Sequence, residues 1–313
     1  MRTEDASAVI VGGGPAGMMA GLLLARQGVD VVVLEKHVDF FRDFRGDTIH
    51  PATLQLLDEI GLIDEFLRLP HSRMERLTVR TTSGPLTFAD FTRAGRYGYV
   101  AFVPQWDFLD LLAEAAVRFP TFRLMRRAEV TDVIRQDGDI VGVRATTDDG
   151  NVAIRSQLVI AADGRHSTVR RAVGFEAVAA SPSIDVLWFR ITRRDGDDVP
   201  FFEKSGGSVL VSINRGDYWQ LAYVIPNGAF DELRTEGLPT FRGIVASVAP
   251  ALADRVDEIG GWDDVHLLSV RVDRLRRWFA PGVLFIGDAA HAMSPAGGVG
   301  INLAIQDAVA TAN

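Results

Sequence analysis

Apolar positions change period along this chain in a way that separates strands from helices. Ala8-Val9-Ile10-Val11 is an unbroken apolar run, Gly12 to Gly17 interrupts it, Met18 to Gln27 continues in helix formers up to Gly28, and Val31-Val32-Val33-Leu34 is a second apolar run. Short continuous runs rich in valine and isoleucine mark strands buried on both faces, so the opening predicts a parallel βαβ unit. Pro51 suits the first turn of a helix with Leu54, Leu57 and Ile60 on one side and Gly61 as its stop. Phe108, Leu111, Leu112 and Ala115 repeat at helical spacing until Phe119-Pro120 ends the pattern.

From residue 122 the period shortens. Leu124 to Val133, Ile140 to Ala145 and Val152 to Ile154 are separated by Asp137-Gly138 and Asp149-Gly150, which are hairpin signals, and predict a small antiparallel meander. A separate buried strand, Leu158 to Ala162, then ends in Asp163-Gly164. Ser183 to Ile225 reads as β-rich with a tight turn at Asn214 to Asp217. A helix carrying Phe241, Ile244, Val245 and Val248 follows, then a strand at Val270 to Val272. Val283 to Ile286 is a last buried strand, Gly287-Asp288 ends it, and after a Gly/Pro-rich loop Ile301, Ala304, Ile305, Ala308 and Val309 form one helical stripe. That stripe runs to Asn313 without a cap, the pattern of a protein truncated at its C-terminal side. No internal repeat or low-complexity segment is present.

Composition narrows the class. With 313 residues, 47% hydrophobic and 24% charged, the chain has the mix of a soluble globular protein of about two domains. The uncharged stretch Ala6 to Ala25 is long enough to span a membrane, but Glu4 and Asp5 precede it and Gly12 to Pro15 break it, so the expected location is cytoplasmic with no transmembrane segment. A net charge of −8 argues against a nucleic-acid partner. The absence of cysteine removes disulfides, thiolate nucleophiles and iron–sulfur clusters, and no metal site is expected, so redox chemistry requires a borrowed organic cofactor. The oligomeric state is not specified.

Candidate chemistry sits at three glycine-bearing turns. Gly12-x-Gly14-x-x-Gly17 follows a strand and opens a helix: the first glycine permits the turn, the second lets a pyrophosphate approach the backbone, and the third lets helix and strand pack closely. Glu35 ends the second strand, where a carboxylate accepts hydrogen bonds from a ribose. Asp163-Gly164 is by itself an ordinary turn. Behind Gly287-Asp288, the segment HAMSPAGGVGIN places glycines directly before a helix, which offers N–H donors and a positive helix end to an anionic ligand atom.

Taken together, VIVGGGPAG, AADGRHSTVR and LFIGDAAHAMSPAGGVGINLAIQDA, in this order and at these separations, resemble the single-component flavoprotein aromatic hydroxylases, FAD-dependent monooxygenases of the para-hydroxybenzoate hydroxylase and ubiquinone-pathway type. The resemblance covers essentially the whole chain. It implies an α/β fold in which a three-layer, Rossmann-like FAD/NAD(P)-binding domain (residues 1–75, 104–180 and 276–313) is interleaved with a β-rich substrate domain (76–103 and 181–275). It also implies that Gly12, Gly14, Pro15, Ala16, Gly17, Glu35 and Lys36 form the ADP-binding element. Asp163 and Gly164 would support the FAD pyrophosphate and NAD(P)H, Gly287-Asp288 would hold the ribityl chain, and Gln105 would contact FAD. Arg45 would lie beside pyrophosphate and flavin, and Pro295 would line the cavity above the flavin; these two are the catalytic candidates. Gly298, Val299, Gly300 and Ile301 would face the flavin N1/C2 region, with Asn302 on its pyrimidine side.

The same resemblance implies the reaction. NADH or NADPH reduces FAD, O2 adds to give a flavin C4a-hydroperoxide, and oxygen passes to an aromatic or polycyclic phenolic substrate. Trp188, Arg190, Tyr218, Trp219 and Tyr223 are aromatic or cationic candidates for the substrate side, and sheet packing explains each of them as well. No general base is assigned; His50, His71, His266 and His291 are titratable, and His291 reads as a support of its loop. Flavin halogenases on this fold need a tunnel lysine, and Lys36 and Lys204, the only lysines, are misplaced for that. Two other readings remain: an isoprenoid double-bond reductase, or a truncated flavin-binding module without full activity.

Overall fold

The computed structural model describes residues 2–41, 48–81, 84–179, 184–205, 207–270, 272–294 and 296–313. The chain divides into two compact units, one of Met1–Leu69, Val103–Ser181 and Arg271–Asn313, the other of Pro70–Phe102 and Pro182–Val270.

In the first unit the elements are β1 (Arg2–Val11), α1 (Pro15–Arg26), β2 (Val31–Glu35), α2 (Pro51–Glu59), α3 (Ile63–Arg68), α4 (Gln105–Ala116), β3 (Phe122–Arg126), β4 (Glu129–Gln136), β5 (Asp139–Thr147), β6 (Gly150–Ala161), α5 (Thr168–Val173), β7 (Phe279–Ala280), β8 (Val283–Phe285) and α6 (Gly300–Ala312). The sheet runs β7-β8-β6-β1-β2-β3, and β3, β2, β1, β6 and β8 are parallel neighbours. The chain lays β2 and β3 to one side of β1, then returns to place β6 and β8 on the other. Doubly wound sheets take ligands beyond the carboxyl ends of strands at such a reversal.

Alternation along the parallel strands divides their side chains between two layers. Val9, Val11, Val32, Leu34, Val159, Ala161, Val283 and Phe285 pack with Val133, Ile140 and Val143 of the antiparallel β4–β5 layer. Ile10 and Val33 face α1, where Gly17 and Gly21 bring the helix close: a Cβ on Gly21 would stand 2.8 Å from Val33 Cγ2. Helix layer, parallel sheet and antiparallel layer are the three layers of an α/β domain.

Several expectations change here. Residues 150–161 form one continuous strand, not a meander strand followed by a separate buried one. Arg155 and Ser156, polar enough to read as a break, pair with Asp5 and Ala6 because β1 begins at Arg2 and extends beyond the core. Along its other edge β6 pairs first with β5 and then with β8. The expected run 124–133 is two strands, separated where Arg127 takes φ 54°. Helix α1 starts at Pro15, since proline suits the first helical position. Helix α3 has no counterpart in the sequence reading.

The second unit contains a five-stranded antiparallel sheet in the order Phe202–Ser205, Ser208–Asn214, Tyr218–Pro226, Ile184–Thr192, His266–Ser269. One face carries Leu187, Phe189, Leu221, Trp219 and Tyr223 against Phe241 and Val245 of the helix Leu238–Val248. Trp219 and Tyr223 are therefore core residues of this unit, on the face opposite to Trp188, Arg190 and Tyr218. The expected strand at Val270 to Val272 does not form at Val270, whose N–H goes to the buried Asp185 carboxylate at 3.3 Å rather than to a ladder partner. Arg271 lies outside the described residues. Arg255, buried, and Asp197, partly buried, make a bidentate ion pair at 2.9 and 2.8 Å, and Trp219 Nε1 donates to the same carboxylate. Among the described residues no helix is long and apolar enough to cross a membrane, and no group of three or more His, Asp or Glu side chains is placed to hold a metal ion.

Candidate functional site

The register of the parallel sheet brings together motifs that are up to 275 residues apart in sequence. Leu34, Val11, Ala161 and Phe285 form one row across β2, β1, β6 and β8. The turns that follow those residues, Glu35, Gly12 to Gly14, Asp163-Gly164 and Gly287-Asp288, thus leave the sheet at one level. The ladder continues a step beyond the strands, through Gly12 N–H to Leu34 O at 2.8 Å, Ala162 N–H to Val11 O at 2.8 Å and Ile286 N–H to Ala161 O at 3.0 Å.

The glycines of the first turn occupy different surroundings. Gly12 has φ 104° and lies so close to the Ala162 carbonyl that a Cβ would collide with it. A Cβ on Gly17 would run into the Gly12 carbonyl. One on Gly14 would meet no atom of the described residues within 4 Å. Gly14 is also the N-cap of α1, which has no side-chain cap and no acidic residue in its first turn, so its N–H donors and positive dipole end open toward that space.

Glu35 is buried and bridges the turn to its own strand. Its Oε2 accepts the Gly13 N–H at 2.9 Å and its Oε1 the His37 N–H at 3.0 Å. A carboxylate at this position is an acceptor of the kind that a ribose hydroxyl donates to. Lys36 is exposed beside it, and Gln105 is the first residue of α4.

At the second turn Asp163 Oδ2 accepts the N–H groups of Thr168 and Val169 at 2.7 and 3.1 Å, so the carboxylate caps α5, with Ser167 as the N-cap. Its Oδ1 is buried and has no hydrogen-bond partner among the described residues, and burial pushes the carboxyl pKa up. Gly164 has φ 79°. Arg165 reaches Asp288 Oδ2 at 3.4 Å, and Arg170 donates to the Ala289 carbonyl at 3.2 Å, tying this turn to the third.

The third turn is wedged between two helices. Gly287, φ 57°, has space for a Cβ only 3.0 Å from Ala16 Cβ of α1 and 3.5 Å from Ala304 Cβ of α6. Gly298, φ 60°, packs so tightly on Thr48 that a Cβ would collide with its side chain, and Thr48 Oγ1 donates to the Gly298 carbonyl at 2.6 Å. Helix α6 follows with Val299 as N-cap, no side-chain cap and no acid in its first turn; a Cβ on Gly300 would meet no atom of the described residues within 4 Å. Ile301 is buried.

Asn302 is buried at the start of α6. Its Oδ1 accepts the His50 N–H at 2.9 Å and the Thr53 hydroxyl at 2.8 Å, and its Nδ2 donates to the carbonyls of Thr48 and Gly298 at 2.9 and 3.1 Å. Those four bonds fill the capacity of the side-chain amide and lock the start of α6 to the segment before α2 and to its own first turn. Arg45 and Pro295 lie outside the described residues.

Sequence reasoning did not single out Asp307. Its Oδ2 accepts the Gly287 N–H at 2.8 Å and a hydrogen bond from His291 Nε2 at 2.6 Å. The available signal was a carboxylate adjacent to the buried stripe of α6. His291 is held above its ordinary pKa by that hydrogen bond, and its ring stacks on Trp278 with centroids 4.8 Å apart.

A glycine turn after the central strand, a carboxylate ending the next strand and two uncapped helix starts facing open space define a dinucleotide-binding domain. The donor set fits a dinucleotide such as FAD: helix ends without acids in their first turns suit a pyrophosphate, and Glu35 suits a ribose. The family model described as "FAD binding domain" matches residues 5–313. The chain is 32% identical over 305 residues to the 6-methylpretetramide 4-monooxygenase of Streptomyces rimosus, covering 96% of this chain and 73% of that protein. It is 27% identical over 311 residues to a protein of Rhodococcus jostii named probable NADH-specific resorcinol 4-hydroxylase, with 96% of this chain and 56% of that one covered. Among solved structures it is similar to PqsL of Pseudomonas aeruginosa, described as a probable FAD-dependent monooxygenase, with a TM-score of 0.82, 25% identity, and 99% and 85% of the two chains covered. The chain belongs to the FAD-binding domain family of the flavoprotein aromatic hydroxylases.

Proposed function

We propose that this protein is an NAD(P)H- and FAD-dependent monooxygenase that hydroxylates an aromatic or polycyclic phenolic substrate. The observation that carries the reading is the pair of glycine helix starts, Gly14 and Gly300, where a Cβ would meet no described atom within 4 Å, on the two helices whose Ala16 and Ala304 flank Gly287. The names of the relatives, which act on a pretetramide and, by its name, on resorcinol, support the substrate class.

Bound FAD supplies hydride acceptance and oxygen activation. The chain's own residues orient it. Glu35 binds the ribose, the first turn of α1 receives the pyrophosphate, Asp288 holds the ribityl hydroxyls, and the start of α6 at Gly298 to Gly300 directs N–H donors and a positive dipole at the part of the ring where reduction places negative charge. Lys36, Gln105, Asp163 and Gly164 border the cofactor. Arg45 and Pro295 are assigned beside the flavin on sequence similarity alone. The β-rich substrate domain is placed at 76–103 and 181–275, a division supported by the compact unit of 70–102 and 182–270. Its Trp188, Arg190 and Tyr218 share one sheet face and are the substrate-side candidates. A cytoplasmic location follows from dependence on NAD(P)H.

Oxygen-electrode assays with NADH and with NADPH, run over a panel of monocyclic and polycyclic phenols, test the proposal. Substrate-dependent O2 uptake matched by a hydroxylated product is expected. NAD(P)H consumption that persists without oxygen and saturates a double bond would instead establish the isoprenoid reductase reading.

A further inference from the structure

One oxygen atom bonds to both ends of the corner that carries Asp288. Asp307 Oδ2, seven residues into α6, takes the N–H of Gly287 at one end of the corner and the imidazole of His291 at the other. Between them Ala289 and Ala290 are buried, Ala290 N–H closes the turn on the Gly287 carbonyl at 2.8 Å, and Asp288 is the one polar side chain left to present. The opposite face of His291 is fixed by Trp278, whose Nε1 donates to the Leu275 carbonyl at 3.1 Å. The atom that pins the corner therefore belongs to the helix whose open N-terminus starts at Gly300.

We propose that Asp307 is a positioning residue for FAD: through Gly287 and His291 it fixes Asp288 relative to the start of α6. The inference rests on FAD binding and not on any particular substrate. Asp307 need not touch the cofactor. Its effect comes from holding Gly287 at φ 57° between Ala16 and Ala304, where a shift of the backbone would move Asp288.

Several charged groups surround His291: Asp307 from α6, Asp288 on its own turn, Arg170 from α5, Asp273 and Arg274 from the strand Asp273–Leu275 paired with it, and Arg276 and Arg277 beside Trp278. Asp307 raises its pKa and Asp288 adds to the effect, so the imidazolium form persists above its ordinary range. As pH rises through that raised value the ring loses its charge, the bond to Asp307 weakens, and FAD affinity falls.

FAD dissociation constants measured by flavin fluorescence from about pH 6 to 9, for the wild type, Asp307→Asn and His291→Gln, test this; hydrogen bonds to charged groups set the expected scale. Asp307→Asn should weaken FAD binding about tenfold at neutral pH, and both variants should lose the wild type's pH dependence. Far-UV circular dichroism of the apo forms controls for folding, and if Asp307→Asn does not fold, the His291→Gln profile decides alone. Affinity of Asp307→Asn within about twofold of wild type, or an unchanged pH profile in His291→Gln, would overturn the proposal. None of these readouts requires a substrate, so failure to hydroxylate would count against the proposed function only.

Discussion

Gly12, Gly14 and Gly17 are equivalent letters in a motif but not equivalent atoms in the fold. Gly12 and Gly17 are needed by the polypeptide itself, since a side chain on either strikes a backbone carbonyl, whereas Gly14 is open. Two substitutions should therefore separate folding from binding. Gly14→Val leaves apo stability within about 1 kcal/mol and abolishes FAD retention, because the new side chain occupies the approach to the helix end. Gly17→Val destabilises the apo protein by about 3 kcal/mol or more through overpacking. Urea denaturation of the apo forms and flavin content after desalting check both. Tight flavin in Gly14→Val would place the pyrophosphate elsewhere. The glycine roles were legible because spacing and a preceding strand determine them. Asn302 was not, because an amide's partners depend on Thr48, His50 and Thr53, some 250 residues earlier in the chain.

At the scale of elements, apolar runs announced the buried parallel strands, and polar stretches concealed their extensions. β6 reads as two strands because Arg155 to Gln157 is polar, yet its pairing with the equally polar start of β1 makes it one. The strand expected at Val270 fails for a different reason, since a buried carboxylate from Asp185 competes with the ladder for an N–H. Asp197 in the second unit shows how far a side chain can govern elements: its bonds to Arg255 and Trp219 join the loop after Ile184–Thr192 to the 3-10 helix Pro250–Glu258 and the strand Tyr218–Pro226. Arg255 holds its carboxyl well below the usual carboxylate range. A depressed carboxylate stabilises the fold above its unfolded pKa of about 3.9 and loses that contribution as pH falls through the folded value. Asp197→Asn should cost up to about 3 kcal/mol at neutral pH by leaving the buried Arg255 guanidinium with the exposed Asp254 carboxylate, 3.1 Å from its Nε, in place of the bidentate pair. It should also flatten the acid limb of the stability curve, which thermal denaturation between about pH 3 and 7 would reveal. An acid limb identical to wild type would mean the pair contributes nothing.

Over the whole molecule, the site depends on topology that no single motif contains. Three turns at residues 12–17, 163–164 and 287–288 meet because β1 is central and β6 and β8 follow it on one side in register. The order of the motifs suggested the family, but only the register puts them at one level, and only the packed fold reveals Asp307 as the anchor of the third turn. The proposed function requires these turns to form one FAD site in the 313-residue chain. The visible absorption spectrum of the purified protein, after incubation with FAD and removal of the excess, tests it most directly. A retained, resolved flavin spectrum at one FAD per chain, lost in Gly14→Val, is the result predicted. A folded protein that stays colourless, or one in which Gly14→Val retains the same flavin, would contradict it.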